Sequence, residues 1–293
     1  MKELTTLEER RKVCPILVGI GAGAIALGVI LLFTLAMTNS FVFPLPMFLC
    51  IFPGIILMAI GNMKFKQVQR DFKNAGMNHI VNEVLPGSTY QENMGIPLND
   101  IYKYGLLQKA DRHHMEDLIF GTYNNVKFRT CDLRLEERRV HHNGKSTTVS
   151  YVPYFIGRFF EFDFNKNFKG NIVVTEAPLF HMLGMQKISL ESEEFNKKFK
   201  TFASDEFSAF YVLTPQMMMT LLDLEKANPG AIMISINSNK IAIAINNNRD
   251  TFSIRMNQPI DESLFNYLKK DLNIITEIVN ELNLNDKIFK EGY

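Results

Sequence analysis

Val13-Cys14-Pro15-Ile16-Leu17-Val18-Gly19-Ile20-Gly21-Ala22-Gly23-Ala24 opens a run that reaches Met63 without one Lys, Arg, His, Asp or Glu. The run breaks once, at Thr38-Asn39-Ser40-Phe41-Val42-Phe43-Pro44-Leu45-Pro46. A helix needs about 20 apolar residues to cross the hydrocarbon of a bilayer. Residues 13–63 therefore read as a transmembrane helical hairpin, with spans at about 16–37 and 47–63. Pro53 and Gly54 interrupt the second span, which a membrane helix tolerates where neighbours satisfy the freed carbonyl. A secretory signal would have a shorter apolar core and no second span so close behind it.

Working outward, Arg10, Arg11 and Lys12 precede the run, and Lys64, Lys66, Arg70 and Lys73 follow it. The turn between the spans is uncharged. The positive-inside rule then places the segment 1–12, the C-terminus and the soluble domain in the cytoplasm of a multi-pass cell-membrane protein. The same basic residues are placed to snorkel at the interface. In the first span, Gly19 with Gly23 and Ala24 with Gly28 form small-xxx-small pairs that let helix backbones approach. They suit packing of span one on span two in the first instance, and after that a homo-oligomer or a partner's helix.

The chain has 32 basic and 31 acidic residues. Setting aside the first twelve residues leaves the remainder formally neutral, which excludes the basic footprint of a general nucleic-acid binder. Cys14, Cys50 and Cys131 are too few for a disulfide scaffold and have no zinc spacing. This usage suits a reducing compartment.

Residues 64–95 read as a juxtamembrane helix and linker. The helix runs from Lys64 to Leu85 with Phe65, Val68, Phe72, Ala75, His79 and Val84 on one face, and Pro86-Gly87 stops it. Residues 96–293 read as the cytoplasmic domain. A helix is expected at about Pro97 to Leu107, and strands from near Leu118. Asn124-Asn125 and Asn143-Gly144 mark tight turns. Phe160, Phe162 and Phe164 are expected to point inward, with Glu161 and Asp163 on the solvent face. Further strands are expected at Ile172–Thr175, Gln186–Leu190 and Thr251–Met256, and a hairpin at Ala231–Ile236 and Ile241–Ile245. Ser192 caps a short helix carrying Phe195, Phe199 and Phe202, and Thr214-Pro215 opens a longer one to about Lys226. The last helix, about Glu262 to Leu284, aligns Leu264, Leu268, Leu272, Ile275, Val279 and Leu282. The fold class is α+β: a transmembrane hairpin followed by an antiparallel-sheet domain with flanking helices.

Several stretches of the soluble part carry a resemblance. They include Glu116-Asp117-Leu118-Ile119-Phe120-Gly121-Thr122-Tyr123, Phe155-Ile156-Gly157-Arg158-Phe159-Phe160 and Phe168-Lys169-Gly170. Leu190-Glu191-Ser192-Glu193-Glu194-Phe195, Phe199, Asp205 and Leu213-Thr214-Pro215 extend it. From about residue 95 to 284 the chain resembles a bacterial family of membrane-anchored proteins known only as a domain of unknown function. The resemblance implies two N-terminal spans and a cytoplasmic α+β region. It also implies, by gene association alone, a LemA-type membrane partner. It brings no catalytic residue.

No residue pattern assigns a catalytic group, a metal or a cofactor. Phosphate loops, a G-x-S-x-G elbow and an H-E-x-x-H helix do not occur. His113-His114 and His141-His142 would need Glu116, Asp117 or Cys131 as further metal ligands, and adjacent side chains point to different sides. Arg134, Arg138, Arg139, His141, His142 and Lys145 gather on one hairpin, interrupted by Glu136 and Glu137. Such a tip suits anionic lipid headgroups or a protein partner, or merely a charged edge that blocks strand pairing. The expectation is a non-enzymatic interaction module held at the membrane. The alternative is an enzyme on a membrane-proximal substrate, which would show a deep pocket of ionisable groups with perturbed pKa values. A transporter subunit ranks last, because the spans carry no charge.

Overall fold

The computed structural model describes residues 2–37, 45–144, 146–163, 170–176, 184–237 and 239–284. Two compact units share the chain. The first comprises Met1–Ile80 with Ser253–Leu268, and the second Val81–Phe252 with the described chain from Lys269 onward.

The first unit is built on α1 (Lys2–Met37) and α2 (Leu45–Phe72). Both are long and apolar enough to cross a membrane. The turn expected between them lies, up to Pro44, outside the described residues. The helices meet through glycine. A Cβ at Gly21 would stand 2.6 Å from the Gly54 carbonyl oxygen, and one at Gly54 would stand 2.7 Å from that of Gly21. Gly28 lies against Ile51, and Gly61 against Val18. Gly19 and Gly23 have nothing within 4 Å. The helices therefore meet at Gly21 and Gly28; of the glycines that spacing singles out, Gly28 is at the contact and Gly19 and Gly23 are not.

The second helix does not end at the membrane flank. It continues into a π-helical turn, Lys73–Met77, and then α3 (Asn78–Val84). A π turn adds a residue to the helical period and rotates the residues beyond it. Phe65, Val68 and Phe72 are buried as expected, but the stripe then passes to Gly76, Met77 and Ile80. Ala75 and His79, which a 3.6-residue period would bury, are exposed. Segment 253–268 is tied to the same helices. Arg11 is buried, pairs with Glu8 through two bonds of 2.7 Å, and donates to the Met256 carbonyl at 2.6 Å. Glu8 accepts from the Ile260 N–H, and Gln69 donates to the Ile254 carbonyl.

The second unit is a nine-stranded, wholly antiparallel sheet. Its strands are β1 (Thr89–Gln91), β2 (Arg112–Tyr123), β3 (Val126–Asn143), β4 (Ser146–Asp163), β5 (Asn171–Thr175), β6 (Gln186–Ile188), β7 (Lys200–Ala203), β8 (Ala231–Asn237) and β9 (Lys240–Asn246). The order is β1-β2-β3-β4-β9-β8-β5-β7-β6. Both edges are three-residue strands, which present little unpaired backbone. Asn124 and Asn125 both take positive φ and join β2 to β3, as the type I′ turn requires. Gly144, at φ +59°, turns β3 into β4.

Helices α4 (Leu98–Tyr102), α5 (Glu193–Lys198), α6 (Glu206–Val212), α7 (Pro215–Ala227) and α8 (Glu262–Glu281) complete the chain. Ser192 and Thr214 cap α5 and α7 as their sequence indicates. Asp205 caps α6, a helix the periodicity does not reveal. The helix expected over Pro97–Leu107 is one turn and a half, and Phe202 lies on β7. Thr251–Met256 is irregular, not a strand: Phe252 and Ile254 are buried without strand partners. Ile96, Ile101 and Leu106 cover Cys131, Leu133, Leu135, Phe155 and Phe159 on one sheet face. The central strands are thus buried on both sides, and the solvent face expected for β4 does not exist there.

Candidate ligand-binding cavity

That covered face holds a cavity of about 730 Å³, bounded by residues 95–104 and strands β2, β3, β4 and β9. Its apolar wall includes Ile96, Pro97, Leu118 and Phe120, and its charged floor spans three neighbouring strands. Register builds the floor. Arg129 on β3 stands directly opposite Glu161 on β4, and Asp163 stands opposite Lys240 on β9.

Alternation along β4 would put Glu161 in solvent, but it is 4% exposed. Its two oxygens accept from four donors. Arg129 gives two parallel bonds of 2.9 and 2.8 Å, Tyr104 Oη one of 2.8 Å and Lys240 Nζ one of 3.1 Å. Lys240 also reaches Asp163 at 2.9 Å, and Arg129 reaches Asp100 at 3.2 Å. Lys103 donates to Asp100 at 2.8 Å. The forked Arg–carboxylate pair is the strongest geometry of this kind.

Electrostatics follows from these partners. Burial pushes the Glu161 carboxyl up, but the bonds from Arg129, Tyr104 and Lys240 outweigh it and hold the group below its ordinary value. The Glu161 bond holds Arg129 above its ordinary value. Burial opposes the Lys240 ammonium, yet Asp163 and Glu161 raise it. Burial, then Glu161, keeps Tyr104 protonated. The floor is a locked set of charges. Lys127, on the rim, is exposed and has no ion-pair partner among the described residues.

The basic hairpin lies further out along β3 and β4. Its arginines are exposed and mostly occupied by neighbours on their own strand: Arg134 with Glu136 at 2.8 Å, Arg139 with Glu137 at 2.6 Å. The Arg138 N–H donates to Asp111. His141 and His142 are exposed, with His142 Nδ1 3.0 Å from Thr147 Oγ1, and Lys145 lies outside the described residues. His113 and His114 sit on β2. Glu116 and Asp117 come near Asp250, but Cys131 is sealed beneath Ile96 and burial pushes its thiol up to about 12. An acidic cluster of this kind assigns no ligand by itself. Of the membrane-flank cations, Lys12, Lys64, Lys66 and Arg70 are exposed, Arg10 pairs with Asp71 at 2.7 Å, and Arg11 and Lys73 are buried.

Residues 154–284 match the family model described as a protein of unknown function, DUF3137. The match begins inside β4 and ends after α8, so it contains Glu161, Asp163 and Lys240 and leaves Asp100, Tyr104 and Arg129 outside. It agrees with the resemblance read from the sequence, behind two helices of membrane-spanning length. No curated protein matches the chain. Among solved structures, the crystal structure of the mycobacterial trehalose monomycolate transport factor A, TtfA, is similar at 6% identity. That likeness covers 72% of this chain and 96% of the other, with a TM-score of 0.38, too low to carry an inference.

Proposed function

We propose that the chain is an integral membrane protein that holds an α+β binding module at the cytoplasmic surface of the membrane. The observation that carries the binding role is the cavity of about 730 Å³, in the range of small-molecule sites. Its apolar wall and cationic rim suit an anionic amphiphile, such as a lipid headgroup with the start of its chain. Lys103 and Lys127 would meet the charge, while Leu118 and Phe120 would meet the hydrocarbon. Flanking charges support the orientation.

The enzyme reading expects such a pocket too, and the direction of the shifts gives it less support. A general acid or base works best with a pKa near the operating pH. Here Glu161 is held ionised, Lys240 charged and Tyr104 protonated, so binding is favoured.

Two measurements test this. The full chain in detergent is titrated with a fluorescent anionic lysolipid. Saturable binding that weakens at least about tenfold in Phe120→Glu supports the reading, a size expected when an apolar wall gains a charge that also repels the anion. Binding unchanged by that substitution removes the cavity from the account. A C-terminal topology reporter registering outside the cytoplasm overturns the orientation.

A further inference from the structure

Arg158 points to the sheet face opposite Glu161, since strand side chains alternate. It is 3% exposed. Its Nε donates to Asp132 Oδ1 at 2.8 Å, and Asp132 Oδ2 accepts from the Thr251 N–H at 2.7 Å. The guanidinium carbon lies 4.1 Å from the Phe252 ring centre. Nη1 and Nη2 have no hydrogen-bond partner among the described residues. A guanidinium has five N–H donors, so four are unmet where unmet donors are costly.

These donors border a cavity of about 30 Å³. Asn228, Asn247, Arg249, Thr251 and Asp271 complete its polar wall. One of the two Asn228 amide N–H groups donates to the Leu224 carbonyl at 2.9 Å, and the Asn247 Oδ1 accepts from the Arg249 N–H at 3.1 Å. That leaves the Arg158 edge, the Arg249 side chain, the Asn247 amide and the second Asn228 N–H as donors, against Asp271 and the Asn228 oxygen, with the Thr251 hydroxyl able to serve either way. Burial raises Asp271, while Arg158 and Arg249 act on it through space. Water must donate as well as accept, whereas an anion only accepts. A space of this size takes one small ion or about two waters.

We propose that this cavity is a binding site for one small inorganic anion of halide size, held by Arg158 Nη1 and Nη2 with Arg249 and the Asn247 amide. The ion bridges β4, the 247–251 loop and the Asp271 turn of α8. Asp271 opposes it by charge and sets its affinity. Because a ligand that binds only the folded state raises stability, occupancy is read in the melt.

The test uses the full chain in detergent at constant ionic strength, in mixtures of sodium chloride and sodium gluconate. Gluconate is too large for the cavity. Chloride should raise Tm saturably over gluconate, and Arg158→Gln should abolish the response. Asp271→Asn removes the repulsion and should lower the half-saturating chloride concentration at least about threefold. That variant keeps the test decisive if Arg158→Gln fails to fold. Superimposed chloride and gluconate melts, or equal chloride responses of wild type and Asp271→Asn, would overturn the proposal and leave a cavity holding water.

Discussion

Strands β3 and β4 use the same residue types in opposite ways along their length. Near the base, Arg129 and Glu161 face each other under a cover, and one carboxylate satisfies four donors. Toward the tip, arginines meet glutamates two positions away on their own strand, in water. The two regions differ in burial and in register, not in composition. Charge at the base is buried and forms the floor of the cavity, whereas charge at the tip is exposed, where ion pairs contribute little.

The junction between the regions should be the most fragile point. At Gly157, where β4 begins to pair with β9, a Cβ would stand 1.9 Å from the Ile245 carbonyl oxygen. Gly157→Ala forces backbone from backbone and should cost on the order of 3 kcal/mol, read as a lower melting temperature of the full chain. Next is Glu161→Gln. Breaking a buried pair costs about 3–5 kcal/mol, but Arg129 is 33% exposed, so solvent takes part of the stranded charge and about 2 kcal/mol is expected. Acid should separate the regions further. Because the folded Glu161 value is lowered, its stabilisation is complete above the ordinary carboxylate range and disappears as pH falls through the folded value. Wild type should therefore lose melting temperature on acidification more steeply than Glu161→Gln. Smallest of all, Arg134→Ala and Arg139→Ala should each move stability by no more than about 0.5 kcal/mol. A large loss at either would erase the contrast.

Much of the fold could be read in the sequence because its signals are local. The charge-free run, the Asn-Asn and Asn-Gly turns, the Ser192 and Thr214 caps and the stripe of the last helix all act within a few residues. The cavity was hidden by a register effect. Counting back from Gly144, unbroken pairing would set Arg129 opposite Phe160. A one-residue shift at Leu135/Glu136, beside Pro153, moves it opposite Glu161. A slip of one residue exchanges the two faces of a strand. Pro153 was the available signal, since proline inside a long strand marks a bulge or an unpaired edge. The π turn concealed the shifted stripe at Met77 and Ile80 in the same way: one extra residue, invisible to periodicity. Tyr104 and Lys240 reach Glu161 from distant segments, and no local pattern could announce that.

The central claim is that the covered base of this sheet holds an anionic amphiphile. It is tested most directly by native mass spectrometry of the full chain released from nanodiscs of mixed neutral and anionic lipid. Wild type should retain one anionic lipid that Phe120→Glu does not. Equal retention by the two proteins, or a wild type that carries neutral and anionic lipid alike, would contradict the account.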